Sequence, residues 1–331
     1  VMNEGLPFAA VDNSKLASTA RDMGGAISKI MGMQMTGGSS TVPDSYEKLR
    51  QAGAVARETL KEAAAQRSGT PRVKLKTKNG RVLFPDGSSV AYTELAADAA
   101  QLKPVSDVAL RDERQWRLLG KKMLRSDIVA KSTGTEIYGI DLVMDNMLYA
   151  SVRSNPGMGG MRLNYDAGRA KAMRGVKKIV ETRDGVGVIA DNTWRAFRAV
   201  NSIDIEWGQP DYPASSKEIW DVLANSFIAE HKNSRLKNLG DVETAQQNSS
   251  VIEAEYRVPY LAHAPLEPMN AVVLVGDDRL DIWTGTQIPG FIQDHAAKLS
   301  GIDKQNVFVH VQPMGGSFGH RLEFSYAMQA R

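Results

Sequence analysis

Cysteine is missing from the 331-residue chain altogether. Its absence excludes, within this chain, disulfides, thiolate nucleophiles, iron–sulfur ligation and cysteine-built zinc sites. No apolar run approaches the roughly 18 residues of a membrane span. An excess of charge is lacking too: 41 basic and 38 acidic residues leave a net +3, which gives no reason to propose nucleic acid or an anionic membrane as partner. The five histidines, at 231, 263, 295, 310 and 320, show no HExxH or HxH spacing. A metal would therefore be held through an organic cofactor rather than by side chains. Gly315, Gly316 and Gly319 do not form GxGxxG, so a nicotinamide dehydrogenase is a poor reading. What remains is ordinary globular composition, 42% hydrophobic and 24% charged, with length for two or three domains.

The chain opens on VMNEGLPF and closes on EFSYAMQAR, a helix-like pattern without a stop, so we read it as a piece of a longer polypeptide or as one chain of a processed or split subunit. Helix formers after MTGGSSTVPDS predict a helix from about Pro43 to Arg67, with Leu49, Ala52, Val55 (or Ala56) and Leu60 as its apolar stripe. Asn79-Gly80 predicts a two-residue hairpin, and a short helix follows with Thr93 as its cap. GTEIYGIDLVMDNMLYASVRS reads as two strand-like runs, and GVKKIVETRDGVGVIAD as two more. Helices are expected at DAGRAKAM, TWRAFRAVNSI, SKEIWDVLANSFIAEHK and FIQDHAAKLSG, and strands at DIEWGQP and NVFVHVQPM. Trp194, Trp283 and the methionines are expected in the core. The resulting divisions are 1–120, 121–208, a linker with a helix at 209–250, and 251–331.

Several stretches have residue types suited to chemistry. In GGSFGHR, residues 315 to 321, glycines permit positive φ and let a ligand approach bare backbone, although a plain strand-to-helix turn would look alike. TGGSS, residues 36 to 40, offers N–H groups and hydroxyls at a helix start, or simply an N-cap. Glu267 in HAPLEPMNA could orient a cofactor or exchange a proton, or else satisfy backbone donors. Gln287 in GTQIPG presents an amide donor from a loop. Glu323 follows the glycine loop, either facing a substrate or solvated.

The order AHAPLEPMNA, WTGTQIPG, an intervening helix and VFVHVQPMGGSFGHRLE resembles the large, molybdopterin-binding subunit of the xanthine dehydrogenase/aldehyde oxidoreductase family, most closely the branch of the isoquinoline 1-oxidoreductase beta subunits. The resemblance implies an α+β chain: an α/β-hammerhead domain flanked by mixed α/β pieces of the molybdenum-cofactor-binding domains. With TGGSS ahead of the glycine loop, it also implies circular permutation relative to xanthine dehydrogenases. Carried over residue by residue, it implies cofactor contacts at Gly37, Gly38, Ser39, Ser40, Gln287, Gly315, Gly316, Ser317, Phe318 and Gly319; Glu267 and Glu323 stand as substrate-side candidates on their own chemistry, not as family residues. Ser317 stands where the family has glycine and His320 where it has arginine. The family's catalytic glutamate has no counterpart in this chain, so the catalytic residue is unknown.

Implied with the family are a molybdopterin cytosine dinucleotide with molybdenum, and hydroxylation of an N-heteroaromatic compound or aldehyde with water as oxygen source. Its partners would be the remainder of the large subunit, a small subunit with [2Fe–2S] clusters, and a cytochrome c as electron acceptor. The implied location is periplasmic, with cytoplasmic as the alternative. The competing functional reading is a cofactor-free scaffold or binding protein with the same fold and a degenerate site.

Overall fold

The computed structural model describes residues 34–39, 41–228, 230 and 240–330, with isolated positions between 15 and 30. Two compact units emerge, one built on Thr36–Thr135 and one on Glu136–Arg331. Helices and largely antiparallel sheets alternate irregularly in both, so the chain is α+β.

The first unit is organised by helix α1 (Thr41–Ser68), which begins two residues before the expected start. Three short strands follow, β1 (Lys76–Lys78), β2 (Arg81–Leu83) and β3 (Ser89–Ala91), and then α2 (Tyr92–Ala100). Asn79 and Gly80 both take positive φ, as the tight hairpin joining β1 and β2 demands. Thr93 is not the α2 cap. The helix starts one residue earlier, and the Glu94 carboxylate accepts the Ala91 N–H at 3.0 Å instead. Of the expected stripe of α1, Leu60 packs against the core, but the buried residues are Ala54, Thr59, Ala63 and Ala64, and Leu49 is 70% exposed. Small side chains win there because Leu75, Val82 and Leu95 supply the bulk of the core against Ala63 and Ala64. Buried Thr59 accepts the Val105 N–H at 3.1 Å, and from there an irregular strap runs along α1. Arg50 and Arg57 hold it by donating to the carbonyls of Arg111 and Ala109.

The second unit has two cores. Helix α3 (Ile128–Thr133) precedes it, and only one strand, β4 (Tyr149–Ser154), forms where two were expected. The upstream run instead makes a tight turn in which the Asp141 carboxylate accepts the Tyr138 N–H at 2.9 Å. Strands β5 (Arg162–Asp166), β6 (Val176–Thr182), β7 (Gly185–Ala190) and β8 (Asp204–Trp207) follow, with α4 (Gly168–Lys171) and α5 (Thr193–Asn201) between them. β7 pairs antiparallel with both β4 and β6, and α5 covers this sheet with Ala199 and Val200 against Val186 and Val188. Trp194 is not in that core: it lies on the outer face of α5, 65% exposed and stacked on Phe197. After α6 (Ser216–Asn225) and α7 (Val242–Gln247), β9 (Val272–Val275), β10 (Leu280–Thr284), α8 (Pro289–Ser300), β11 (Val307–Val311) and α9 (Ser325–Gln329) build the second core.

Candidate functional site

Strand register decides where the second core presents its loops. β10 runs antiparallel to β9 and parallel to β11, pairing Trp283 with Val272 and Thr284 with Val311. The entrance to β9 and the exits of β10 and β11 therefore lie at one end of the sheet. Glu267 precedes β9, Gln287 follows β10, and residues 315–321 follow β11. Loops beyond the carboxyl ends of parallel strands are where open α/β sheets commonly bind ligands.

One side chain fastens these loops, and sequence reasoning missed it. Arg321 is fully buried. Its Nη2 donates to the Glu267 carboxylate at 2.6 Å and to the Glu267 carbonyl at 3.2 Å. Its Nη1 reaches the Gly285 carbonyl at 3.2 Å, and its Nε the Gly316 carbonyl at 2.8 Å. The Arg321 carbonyl accepts the Gln287 N–H at 3.0 Å. The available signal was an arginine two positions after the last glycine of the turn, with a complementary glutamate in a proline-flanked turn.

Glu267 is correspondingly occupied. Besides Arg321, it accepts the Gly315 N–H at 2.8 Å and the Asn270 side-chain amide at 2.8 Å. Its carboxylate is turned into the protein, contrary to a substrate-side position. Glu323 is exposed, with no side-chain partner among the described residues.

The glycines have different explanations. A Cβ on Gly315 would lie 2.5 Å from the Glu267 Cβ, so this residue is bare because the glutamate packs against it. Gly316 and Gly319 take φ of 109° and 97°, a region that disfavours side chains. Phe318 between them also has positive φ, 53°, and its ring is 75% exposed. A bulky residue in that region is an outlier maintained by its surroundings. The Ser317 hydroxyl donates to the Gln287 side-chain oxygen and accepts the Arg321 N–H at 3.2 Å. It thus fixes the orientation of the Gln287 amide.

Two features of the loop suit an anionic or oxo ligand. The N–H groups of Gly316, Ser317, Phe318 and Gly319 meet no protein acceptor among the described residues. The ring of His320 stacks on His263 at 4.9 Å between centroids, and its Nδ1 is buried without a partner among the described residues. Successive free N–H groups make a concave donor set.

In the first unit, Gly38 and Ser39 take positive φ just before α1, and Gly37 lies half-buried beside them. Ser40 lies outside the described residues.

A second polar network was not foreseen. Arg279 forks onto Asp281 at 2.6 and 3.0 Å, and His310 reaches the same carboxylate at 2.7 Å while stacking on Trp283. Hydrogen bonding from Arg279, reinforced by His310 against the opposing effect of burial, holds the Asp281 carboxyl down at about 2. An acid whose folded pKa is depressed stabilises above its unfolded pKa and loses that contribution as pH falls through the folded value. Asp281→Asn is expected to lower the unfolding midpoint at neutral pH and to flatten its dependence between about pH 4 and 2. Urea titrations of both proteins across that window check this; parallel pH curves would refute it.

Residues 227–331 match the family described as the molybdopterin cofactor-binding domain. Three curated proteins are similar over most of the chain. The beta subunit of isoquinoline 1-oxidoreductase from Brevundimonas diminuta is 28% identical over 88% of this chain and 43% of its own length. A nicotinate dehydrogenase subunit from Pseudomonas putida is 29% identical over 85% of this chain and 24% of its own. A protein of Gluconacetobacter polyoxogenes named membrane-bound aldehyde dehydrogenase [pyrroloquinoline-quinone] is 27% identical over 90% and 41%. The chain spans less than half the length of each.

Proposed function

The chain is a relative of the molybdopterin-binding subunits of the xanthine oxidase family, and on that premise we propose that it forms part of a molybdenum hydroxylase and helps hold the cofactor at the loop of residues 315–319. The observation that carries the proposal is the run of N–H groups from Gly316 to Gly319 that meet no acceptor among the described residues, at the carboxyl ends of β10 and β11. Ser317 orients the Gln287 amide, and Arg321 with Glu267 fixes the backbone on which both stand. Phe318 walls the site, and His320 offers Nδ1 to a polar group. Gly37, Gly38, Ser39 and Ser40, in the first unit, are read on their own as a phosphate-binding cluster.

When bound, a molybdopterin cofactor supplies a two-electron oxidation that places a water-derived oxygen on the substrate. The residues of this chain bind and orient the cofactor; proton removal belongs to a residue outside this chain. We further propose the cytosine dinucleotide form, an N-heteroaromatic or aldehyde substrate, a hammerhead fold for 121–208, and a permuted domain order. The partners in this reading are the rest of the large subunit, a small [2Fe–2S] subunit and a cytochrome c, in the periplasm.

A cofactor-free scaffold draws on one specific observation: Gly315 is explained by Glu267 without any ligand. Denaturing liquid chromatography–mass spectrometry of the native particle, with metal analysis, separates the two readings. The hydroxylase predicts about one molybdenum and one pterin dinucleotide per large subunit, together with a small cysteine-rich chain. Finding neither molybdenum nor pterin would sink the hydroxylase in favour of the scaffold, and a quinone in their place would sink both readings.

A further inference from the structure

The first unit has a cleft of about 700 Å³ between α1 and the strap that runs along it. Arg50, Arg57, Arg111 and Arg117 line it, together with the rings of Tyr92 and Trp116. Arg50 and Arg57 are seven residues apart on α1, two turns, and so share a face. The strap brings Arg111 and Arg117 to the same space.

The charge there is poorly balanced. Glu58 is the carboxylate paired with Arg57, at 3.0 Å, and it is shared with Lys61 at 2.9 Å. The four guanidinium groups also have donors to spare, since each has five N–H groups. Arg50 gives a bond to the Arg111 carbonyl, Arg57 gives bonds to Glu58 and the Ala109 carbonyl, and Arg111 gives one to Thr77. Arg117 has no hydrogen bond among the described residues. Burial, with the neighbouring charges of Arg57 and Arg117, pushes the Arg111 pKa below its ordinary value. Like charges gathered in a partly enclosed cleft favour a counter-anion, and planar guanidinium forks favour one with several oxygens. The ring walls add a preference for a flat group. Arg50 already lies 5.4 Å from the Trp116 ring centre, so the ring is held in place.

We propose that this cleft binds a small phosphate monoester bearing a planar ring, with the phosphate on the guanidinium groups and the ring against Trp116 and Tyr92. The double negative charge fits the arginine surplus better than a carboxylate does, and neither element of the proposal depends on the loop at 315–319.

Isothermal titration of the native protein with phenyl phosphate, inorganic phosphate and phenol tests it. Phenyl phosphate should bind saturably, at least tenfold tighter than inorganic phosphate, and phenol should give no saturable heat. Arg117→Met, at an exposed residue, should weaken binding about fivefold or more and leave the thermal melt unchanged. Arg111→Met should weaken it more, and Trp116→Leu should remove the preference for the ring. Absence of saturable heat with phenyl phosphate overturns the proposal; that is also the outcome if another stretch of polypeptide fills the cleft. Equal affinity in Arg117→Met and the parent, or equal binding of ring-free phosphate, overturns it as well.

Discussion

Arg321→Met is expected to lower the unfolding free energy by about 3–5 kcal/mol, because it leaves the buried Glu267 carboxylate without its counter-charge. The pair is enclosed, with side chains 0% and 5% exposed, so solvent cannot take over from the missing guanidinium. Removing both charges together should cost far less, since a well-packed neutral replacement of a buried ion pair is often close to neutral. The measurement is denaturant unfolding of Arg321→Met, Glu267→Gln and the double variant. A double variant as unstable as the sum of the singles would show that the pair is not coupled. On the proposed function, the single variants should also lose molybdenum from the native particle, because Gln287 and Gly316 both bond to Arg321.

Gly315→Ala should cost about 1–3 kcal/mol, the range for forcing an extra methyl into a packed site. The new Cβ would lie 2.5 Å from the Glu267 Cβ and 3.3 Å from its Oε2, and the φ of this residue is not positive, so the clash alone decides the sign. Glu267 must move, and the bond from the Gly315 N–H to its carboxylate is strained or lost. Gly53→Ala provides the contrast. It lies in the interior of α1 with nothing within 4 Å of the added atom, so it should stabilise by about 0.5–1 kcal/mol. Thermal melts of both variants distinguish a steric cause at Gly315 from a general intolerance of alanine.

Local patterns gave a legible account of most elements. The Asn79-Gly80 hairpin, the β6–β7 hairpin, and the helices at 193–201 and 289–300 are all set by short-range chemistry that a sequence displays. What stayed hidden depends on partners distant in the chain. The inward face of α1 is chosen by Leu75, Val82 and Leu95, not by the largest residues of the helix itself. Trp194 was expected inside, yet the buried positions on α5 went to Ala196, Ala199 and Val200, which fit closely over the sheet. At the candidate site, the resemblance indicated the loops, but no local pattern shows that Arg321 turns inward to meet a residue 54 positions away. Gly315 was legible as a bare position, while its cause, the packing of Glu267, was not.

The choice of acceptors around Arg321 bears on how such a site can diversify. Three of its four side-chain acceptor atoms are peptide carbonyls, of Gly316, Gly285 and Glu267, and only one belongs to a side chain. Peptide carbonyls are present whatever residue occupies the position, so the framework is indifferent to most replacements along the loops it joins. Phe318, Pro265 and Leu266 can drift without disturbing the scaffold, whereas Arg321 and Glu267 can change only as a pair. Mutation can therefore explore new linings around a constant frame.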